Sequence, residues 1–291
     1  MRARRALRTR RIGHTGTLDP MATGLLVLAV GEATKLVAYL TEHDKRYLCT
    51  LQLGVATDSL DADGANTETR PVPVLDVAQV EAACGELVSR QTQVPPMVSA
   101  LKRDGQRLHA LARRGEHLEL EPRPVVLHSV AVTRVAHDAI DLDVSCGKGF
   151  YVRALGRDLA AHLGTVGHLT ALRRTHVGSD LVSNALSMDV LLAAAGGDDA
   201  ARAQAAAHVV PLDQACRRMP ELRLDAVGVE HVRHGRALSL EHRLGDDPSS
   251  GVAVVYEPSG APLAIVRIAD ERVVVARGFA LSAAAAARDP E

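Results

Sequence analysis

The segment from Ile12 to Val30 constrains the fold more tightly than any other part of the chain. It begins IGHTGTLDPMATG and continues LLVLAV. Glycine permits unusual backbone angles and a close approach by another molecule, and Pro20 disfavours helical geometry at Asp19. The segment therefore predicts a rigid loop that holds the Asp19 carboxylate still and leads into one buried strand. The alternative is an ordinary Asp-Pro turn without a chemical role.

Beyond this loop, the hydrophobic patterns predict both helices and strands. Strands are expected over 46–53, 125–135 and 140–146, and helices over 76–91 and 151–163. Gly164 is a plausible C-cap of the second helix. The Ala-rich residues 194–207 indicate a linker or a mobile helix. From about Leu222 a short helix and several apolar runs predict a small β-rich module, and the tail 282–291 is expected to be frayed.

The distribution of charge says more about partners than its total. The formal net charge is −1, yet basic residues gather in the stretches 2–11, 102–123 and 148–174. Phosphate binding depends on the local potential, so a nearly neutral chain can present a basic face to a nucleic acid. Solvated arginines on helix surfaces are the alternative.

Cysteine and histidine spacing argues against a metal site or a disulfide framework. The 4 cysteines form no CxxC pair, and the 13 histidines form no HExxH motif. A reduced, cytoplasmic protein is therefore predicted. No apolar run approaches the roughly 20 residues that a membrane helix needs. The Arg-rich N-terminus also lacks the apolar core of a secretory signal.

Two ligand loops are excluded by their missing residues. The Gly-rich loop has neither the GK[ST] of a phosphate-binding loop nor the GxGxxG of a dinucleotide site. The sequence SLDADG, which starts at Ser59, resembles the beginning of a calcium loop, but Arg70 stands where the bidentate glutamate is needed. A solvated acidic turn is the expectation for Asp61 and its neighbours.

The sequence CGKGFYVRAL, residues 146–155, passes from a strand through a turn into a helix. Arg153 then lies in the first helical turn, where the helix dipole favours an acid. A cation placed against that preference indicates an anionic partner, either a carboxylate or a phosphate. An ordinary surface arginine is the alternative.

Five sequence blocks resemble, in the same order, those of the TruB family of pseudouridine synthases. They are GHTGTLDPMATGLLVLAVGEATKL, KRY with LGVATDSLDADG, QVPP with SALK, KGFYVRAL, and LRRT, and they cover residues 12 to about 180. The resemblance implies an α+β pseudouridine synthase fold with a central mixed, largely antiparallel sheet and flanking helices. It also implies a catalytic domain over 1–215, with a basic RNA-gripping flap at about 93–123, and a PUA-like C-terminal domain over 222–285.

The resemblance assigns roles to individual residues. The catalytic aspartate of the family corresponds to Asp19, and the arginine that pairs with it corresponds to Arg153. Tyr47 is expected to stack on the target base, Leu172 to line the pocket, and His14 to lie beside the displaced nucleotide. The further RNA contacts predicted are Lys102, Arg103, Lys148, Tyr151, Arg173 and Arg174.

The implied reaction converts uridine 55 in the T loop of tRNA to pseudouridine. It includes no redox step and no external group, so neither a cofactor nor a metal is expected. The implied partner is tRNA, held at the T arm and, through the C-terminal domain, at the acceptor end. A monomer with no membrane association is expected. Unstacking the target base costs a few kcal/mol. Stacking on Tyr47, at about 1–3 kcal/mol, would offset much of that cost.

The chain departs from the family pattern at three points. The family normally begins with a strand and a DKPxGxTS-like turn, which this chain is expected to lack, with lower stability and activity as the consequence. His109 and Val98 stand where aromatic residues are common. The alternatives are an RNA-binding or tRNA-folding protein without catalysis, a guided synthase of small nuclear or ribosomal RNA, and an aspartate-dependent hydrolase.

Overall fold

A computed structural model describes residues 2–99, 101–103, 106–108, 114 and 118–280. The α-helices are α1 (Arg2–Ala6), α2 (Val37–Leu40), α3 (Val77–Ser89), α4 (Val152–His162), α5 (Met188–Gly196), α6 (Asp199–Ala207), α7 (Leu212–Cys216) and α8 (Ala226–Arg233). Short 3-10 helices cover Gly31–Leu36, Val182–Asn184 and Leu240–His242. The strands are β1 (Ile12–His14), β2 (Thr23–Gly24), β3 (Leu28–Val30), β4 (Lys45–Leu53), β5 (Val55–Thr57), β6 (Asn66–Thr69), β7 (Thr92–Gln93), β8 (Lys102–Arg103), β9 (Gln106–Arg107), β10 (Arg123–Pro124), β11 (Leu127–Val135), β12 (Ala139–Cys146), β13 (Gly167–Val177), β14 (Asp180–Leu181), β15 (Leu238–Ser239), β16 (Gly251–Tyr256), β17 (Pro262–Ala269) and β18 (Arg272–Gly278).

Contacts between residues divide the chain into two compact units. The central-sheet unit comprises Gly16–Val27 and Tyr39–Ala185. The terminal unit comprises Met1–Thr15, Leu28–Ala38 and Leu186–Glu291. The domain ranges expected from the sequence, 1–215 and 222–285, stay a prediction. Within the described ranges, no helix is long and apolar enough to cross a membrane.

A six-stranded sheet forms the middle of the central-sheet unit. Its strands follow the order β11-β12-β4-β13-β14, and β2 also pairs with β13. Every pairing is antiparallel except that of β2 with β13, which is parallel. The prediction of a mixed, largely antiparallel sheet is therefore confirmed.

The alternation of side chains along β12 explains why this sheet has one buried face. Ile140, Leu142 and Val144 are buried, whereas the residues between them are partly exposed. α3 begins at a capping box formed by Asp76 and Gln79. Its buried residues recur at helical spacing and join the same apolar core: Val80, Ala83, Cys84 and Leu87.

The apolar run after Gly24 is not the single buried strand predicted from the sequence. Only Leu28–Val30 is a strand there, and it pairs with β1. Gly24 ends β2 with a φ of +96°, and Leu26 is exposed. A positive φ turns the backbone away from an extended path, so one continuous strand cannot pass through Gly24.

Strands β15 to β18 form an antiparallel sheet within the terminal unit, in the order β15-β18-β17-β16. The core beside it is aliphatic and includes Val255, Val266, Ile268 and Val273. α8 precedes the sheet and begins at the capping residue Asp225, which accepts from the Gly228 amide at 2.7 Å. This architecture agrees with the β-rich module predicted for the C-terminal part of the chain.

The Ala-rich stretch 194–207 is neither a linker nor a lone mobile helix. It contains the end of α5 and all of α6, with Gly197 in a left-handed conformation between them. Alanine is the best helix former, and its small side chain lets helices pack closely. Ala194, Ala201 and Ala205 are buried together with Ala6 of α1. The linker alternative is therefore wrong, and the helical alternative is confirmed in part, because two packed helices share the stretch.

Candidate active site

Asp19 lies in the loop that precedes β2. The Ala22 amide donates to the Asp19 carbonyl at 2.9 Å, which closes a turn around Pro20. The Leu25 amide then donates to the Arg174 carbonyl on β13 at 2.8 Å. The loop is thus fastened to the central sheet directly after Asp19, while the Asp19 side chain stays 29% exposed.

Arg153, in the first turn of α4, holds the Asp19 carboxylate with two hydrogen bonds. Arg153 Nε donates to Asp19 Oδ2 at 2.9 Å, and Nη2 donates to Oδ1 at 2.7 Å. A bidentate pair of this kind fixes both the position and the plane of a carboxylate. The Arg153 side chain is only 3% exposed, so the pair is open to solvent on the aspartate side alone.

The other Arg153 contacts are also within the protein. Nη1 donates to the Ser59 carbonyl at 2.6 Å, and Nη2 donates to the Val98 carbonyl at 2.9 Å. Asp61 Oδ2 lies 3.5 Å from Nη1 and provides a second carboxylate. A buried charge is tolerated when its donors are paired in this way. The anionic partner expected for Arg153 is therefore a carboxylate, and its guanidinium needs no phosphate.

The acidic turn is solvated at Asp58 and Asp63, as expected, but Asp61 itself is buried, contrary to the expectation. Asp61 is 3% exposed and Ser59 is 8% exposed. The Ser59 hydroxyl and the Asp63 amide both donate to Asp61 Oδ1, and the Thr57 hydroxyl donates to the Asp61 carbonyl. Sequence inspection treats these acids as surface charge because it cannot show that Arg153, remote in sequence, faces them.

Gln93 fixes the start of α4 and thereby the position of Arg153. Gln93 Oε1 accepts from the Tyr151 amide at 2.9 Å, and its Nε2 donates to the Tyr151 carbonyl at 3.1 Å. Arg157, one turn further along α4, donates to the Val94 carbonyl at 3.0 Å. Three side chains, Gln93, Arg153 and Arg157, therefore join residues 93–98 to α4.

Tyr47 and Leu172 lie on neighbouring strands of the central sheet. Tyr47 on β4 is half-buried beside the core, and Leu172 on β13 is buried within it. Burial raises the pKa of the Tyr47 phenol, while the charge of Arg174 and a hydrogen bond from it act in the opposite direction. The stacking role of Tyr47 and the pocket-lining role of Leu172 stay predictions.

Arg174 does not lie where a phosphate could reach it. It is 2% exposed, and its guanidinium donates to carbonyls of the Asp19 loop. This burial argues against the RNA contact predicted for it. Lys45 is buried nearby and donates to the Thr41 carbonyl at 2.7 Å. Burial, and then the charge of Arg174, lowers the pKa of the Lys45 ammonium.

The other predicted contacts fall in different places. His14 is the exposed last residue of β1, in the terminal unit. Lys148 forms an ion pair with Glu42, and Arg173 is exposed beside Thr23. Tyr151 is half-buried, and burial raises the pKa of its phenol although a hydrogen bond with Ser99 lowers it.

The described part of the predicted flap consists of short strand pairs. β7 pairs with β10, which brings Gln93 opposite Arg123, and Lys102 and Arg103 form β8 beside β9. His109 lies outside the described residues, as do 104–105, 110–113 and 115–117. The pairing of β7 with β10 closes the base of the flap.

The geometry at Asp19 suits a nucleophile or a base. A carboxylate held by two charge-assisted hydrogen bonds cannot rotate freely, yet its exposed edge is open to a substrate. Among the described residues, no three His, Cys, Asp or Glu side chains converge as metal ligands do. Asp61, Gln93 and Lys45 were not predicted as site residues. Each lies within one of the five sequence blocks that resemble the family, and this position was the only sequence signal that could have identified it.

Sequence comparison identifies the relatives of the chain. A family model described as TruB family pseudouridylate synthase (N terminal domain) matches residues 4–152. A tRNA pseudouridine synthase B of Burkholderia mallei is 40% identical over 282 residues, which cover 94% of this chain and 91% of that protein. A protein of the same name from Thermobifida fusca is 43% identical over 273 residues, or 91% and 87% of the two chains.

Solved structures share the fold. A Cbf5-Nop10-Gar1 complex contains a chain that matches 95% of this chain with a TM-score of 0.68 and 19% identity, over 79% of its own length. An archaeal box H/ACA sRNP Nop10-Cbf5 complex gives 0.66 at 17% identity, over 96% of this chain and 80% of that one. The family match and the identity over nearly the whole length agree with the fold. The chain belongs to the TruB family of pseudouridylate synthases.

Proposed function

We propose that this protein isomerises a uridine in the T loop of tRNA, at position 55, to pseudouridine, with Asp19 as the catalytic residue. The observation that carries the proposal is the Asp19 carboxylate, held by Arg153 and partly exposed on a loop fastened to the central sheet. The names of the relatives, tRNA pseudouridine synthase B, support tRNA as the substrate.

The reaction balances within the nucleotide itself. The bond from N1 of the uracil to C1′ of the ribose breaks, the base rotates, and a bond forms from C5 to C1′. The proton on C5 leaves and N1 gains one, so substrate and product are isomers. Asp19 either attacks the nucleoside or assists deprotonation of the sugar. Both routes need a carboxylate of fixed orientation, which the two hydrogen bonds from Arg153 provide.

The remaining roles are those implied by the resemblance to the TruB family. Tyr47 stacks on the flipped base, Leu172 lines the pocket, and His14 lies beside the displaced nucleotide. Lys102, Arg103, Lys148, Tyr151 and Arg173 contact the RNA. The flap at about 93–123 grips the T arm, and the PUA-like domain over 222–285 holds the acceptor end. The protein acts as a cytoplasmic monomer.

The test is pseudouridine formation in a T-arm stem-loop RNA by the protein and by its Asp19→Asn variant. Asparagine keeps the shape of aspartate but is neither a nucleophile nor a base. We expect the protein to modify one T-loop uridine and the variant to modify none while still binding the RNA. Binding without modification by the unaltered protein would overturn the proposed catalytic function.

A further inference from the structure

Two consecutive arginines of β13, Arg173 and Arg174, have opposite surroundings. Arg173 is exposed, with a long contact of 3.4 Å from its Nη1 to the Thr23 hydroxyl. Arg174 is 2% exposed and is the largest fully buried side chain of the described residues. Neighbouring residues of a strand point to opposite faces of the sheet, so one arginine faces solvent while the other faces the Asp19 loop.

The Arg174 guanidinium touches both ends of that loop. Its Nε donates to the Leu25 carbonyl at 2.8 Å, and Nη2 donates to the Gly16 carbonyl at 3.1 Å. Nη1 makes a longer contact of 3.4 Å with the Thr17 carbonyl. These carbonyls lie before and after Asp19 in the chain. One rigid, planar group therefore sets the separation of the two loop ends.

The same side chain reaches the residue that is expected to stack on the base. Arg174 and Tyr47 are directly opposite each other on β13 and β4. Side chains of directly opposite residues lie on the same face of a sheet as close neighbours, so the Arg174 side chain lies beside that of Tyr47. Arg174 thus holds the Asp19 loop from a position opposite Tyr47, whereas Arg153 contacts Asp19 directly.

We propose that Arg174 is a positioning residue that aligns the Asp19 loop with the Tyr47 ring. This inference rests on the proposed function, because alignment matters only if a base stacks on Tyr47 while its nucleotide reacts at Asp19. The predicted function of Arg174 as a ligand of RNA phosphate is replaced by this one. The two roles differ in what they control: a positioning residue affects turnover of bound RNA, and a phosphate ligand affects affinity.

Gly24 provides an independent way to disturb the same link. A Cβ added at Gly24 would lie 2.2 Å from the Arg174 carbonyl oxygen and 2.9 Å from its amide nitrogen, both backbone atoms. Gly24→Ala would therefore push β2 away from Arg174 without removing a charge. Gly164 is a matched control, since it also has a positive φ but nothing within 4 Å of an added Cβ.

The experiment measures single-turnover pseudouridine formation and RNA affinity separately, with a T-arm stem-loop as the probe. For Arg174→Gln we expect turnover about 100-fold slower, as for other small misplacements of reacting groups, with affinity retained. Arg174→Lys should restore only part of the rate, because a point charge cannot reach separate carbonyls as a planar fork does. Arg173→Gln should show the opposite split, a weaker affinity.

Thermal melts identify any variant that fails to fold, and the decision then rests on Gly24→Ala. We expect Gly24→Ala to turn over slowly and to bind normally, and Gly164→Ala to match the unaltered protein. Weaker binding at an unchanged rate in Arg174→Gln, or equal rates in the two glycine variants, would overturn the positioning role. If the unaltered protein forms no pseudouridine, the proposed function itself fails, which is a distinct result.

Discussion

The charged group beside Asp19 and the ion pairs of the terminal unit are placed in opposite ways. Around the central sheet, Arg153 and Asp61 are buried and Asp19 is partly buried, all in one connected group. In the terminal unit, the ion pairs of Arg223 with Asp247 and of Arg233 with Glu257 involve arginines that are 60% and 45% exposed. The core beside strands β15 to β18 of the same unit is aliphatic.

This difference separates charge that serves a reaction from charge that serves solubility. Removing ions from water is costly, and a buried pair is often no more stabilising than an apolar pair of the same volume. A surface pair adds at most about 1 kcal/mol. The buried group at Asp19 is therefore explained better by orientation of a carboxylate than by stability. We therefore expect variants around Asp19 to change turnover, and variants in the terminal unit to change only stability.

Asp19→Asn should have the largest effect on activity. Loss of a nucleophile or base typically slows an enzyme by about 1000-fold or more. The amide still accepts one hydrogen bond from Arg153, so the protein should stay folded. Single-turnover pseudouridine formation and a denaturant titration measure the two properties. A measurable residual rate close to that of the unaltered protein would contradict the role of Asp19.

Asp61→Ala should reduce both stability and turnover. It removes a buried partner of Arg153 and leaves the Ser59 hydroxyl and the Asp63 amide without their acceptor. Breaking a buried charge pair costs about 3–5 kcal/mol. The free energy of unfolding in urea measures this loss. The matched control is Asp63→Ala, an exposed neighbour for which we expect less than about 0.5 kcal/mol. Equal losses in the two variants would show that the buried turn is unimportant.

Ile268→Val should lower stability without affecting turnover of the folded protein. Ile268 is 2% exposed in the aliphatic core of the terminal unit. Deleting one buried methylene in this way costs about 0.5–1.5 kcal/mol. Thermal unfolding measures the change, and the rate per folded molecule should equal that of the unaltered protein. A lower rate per folded molecule would show that the core of the terminal unit also affects turnover, which would contradict this prediction.

Asp247→Asn should have the smallest effect, and only in a defined pH range. The hydrogen bond from Arg223 lowers the pKa of the Asp247 carboxyl below its usual value. Because the folded pKa is below the unfolded one, the stabilisation is present above the unfolded pKa of about 4 and is lost as the pH falls through the folded pKa. Screening limits it to about 1 kcal/mol.

Urea titrations at several pH values test this last prediction. The unaltered protein should be slightly more stable than Asp247→Asn near neutral pH, and the difference should vanish in acid. High salt should shrink the difference at neutral pH, since Arg223 is exposed. A difference that grows as the pH falls would have the wrong sign for a carboxyl of lowered pKa.

Local sequence patterns predicted the central sheet well. The alternation along 140–146 and the helical spacing over 76–91 each depend on neighbours a few residues apart, and both elements are present. The apolar run after Gly24 was misread because hydrophobicity does not show that its two parts have different backbone partners, Arg174 for Leu25 and β1 for Leu28–Val30. The alanines of α5 and α6 were misread because alanine is compatible with both a linker and a helix contact.

Site residues could be predicted where they match a sequence block of the family. The partners of buried charged residues could not be predicted. Asp19 and Arg153 were expected to pair, and they are in contact. Asp61 and Arg174 carry charges that, by sequence alone, belong on the surface. Their burial follows from contacts with residues far away in the chain, Arg153 for one and Gly16 for the other. Such pairings arise only once the sheet has formed.

The Val98 carbonyl is connected to the Asp19 carboxylate through a single atom of Arg153. Arg153 donates to it from Nη2, the same nitrogen that holds Asp19 Oδ1. Any displacement of the backbone at Val98 therefore changes the hydrogen bonds of the reacting carboxylate. The backbone of the predicted flap, at Val98, and the proposed catalytic carboxylate therefore share one nitrogen atom of Arg153, and neither can shift without the other losing part of its hydrogen bonding.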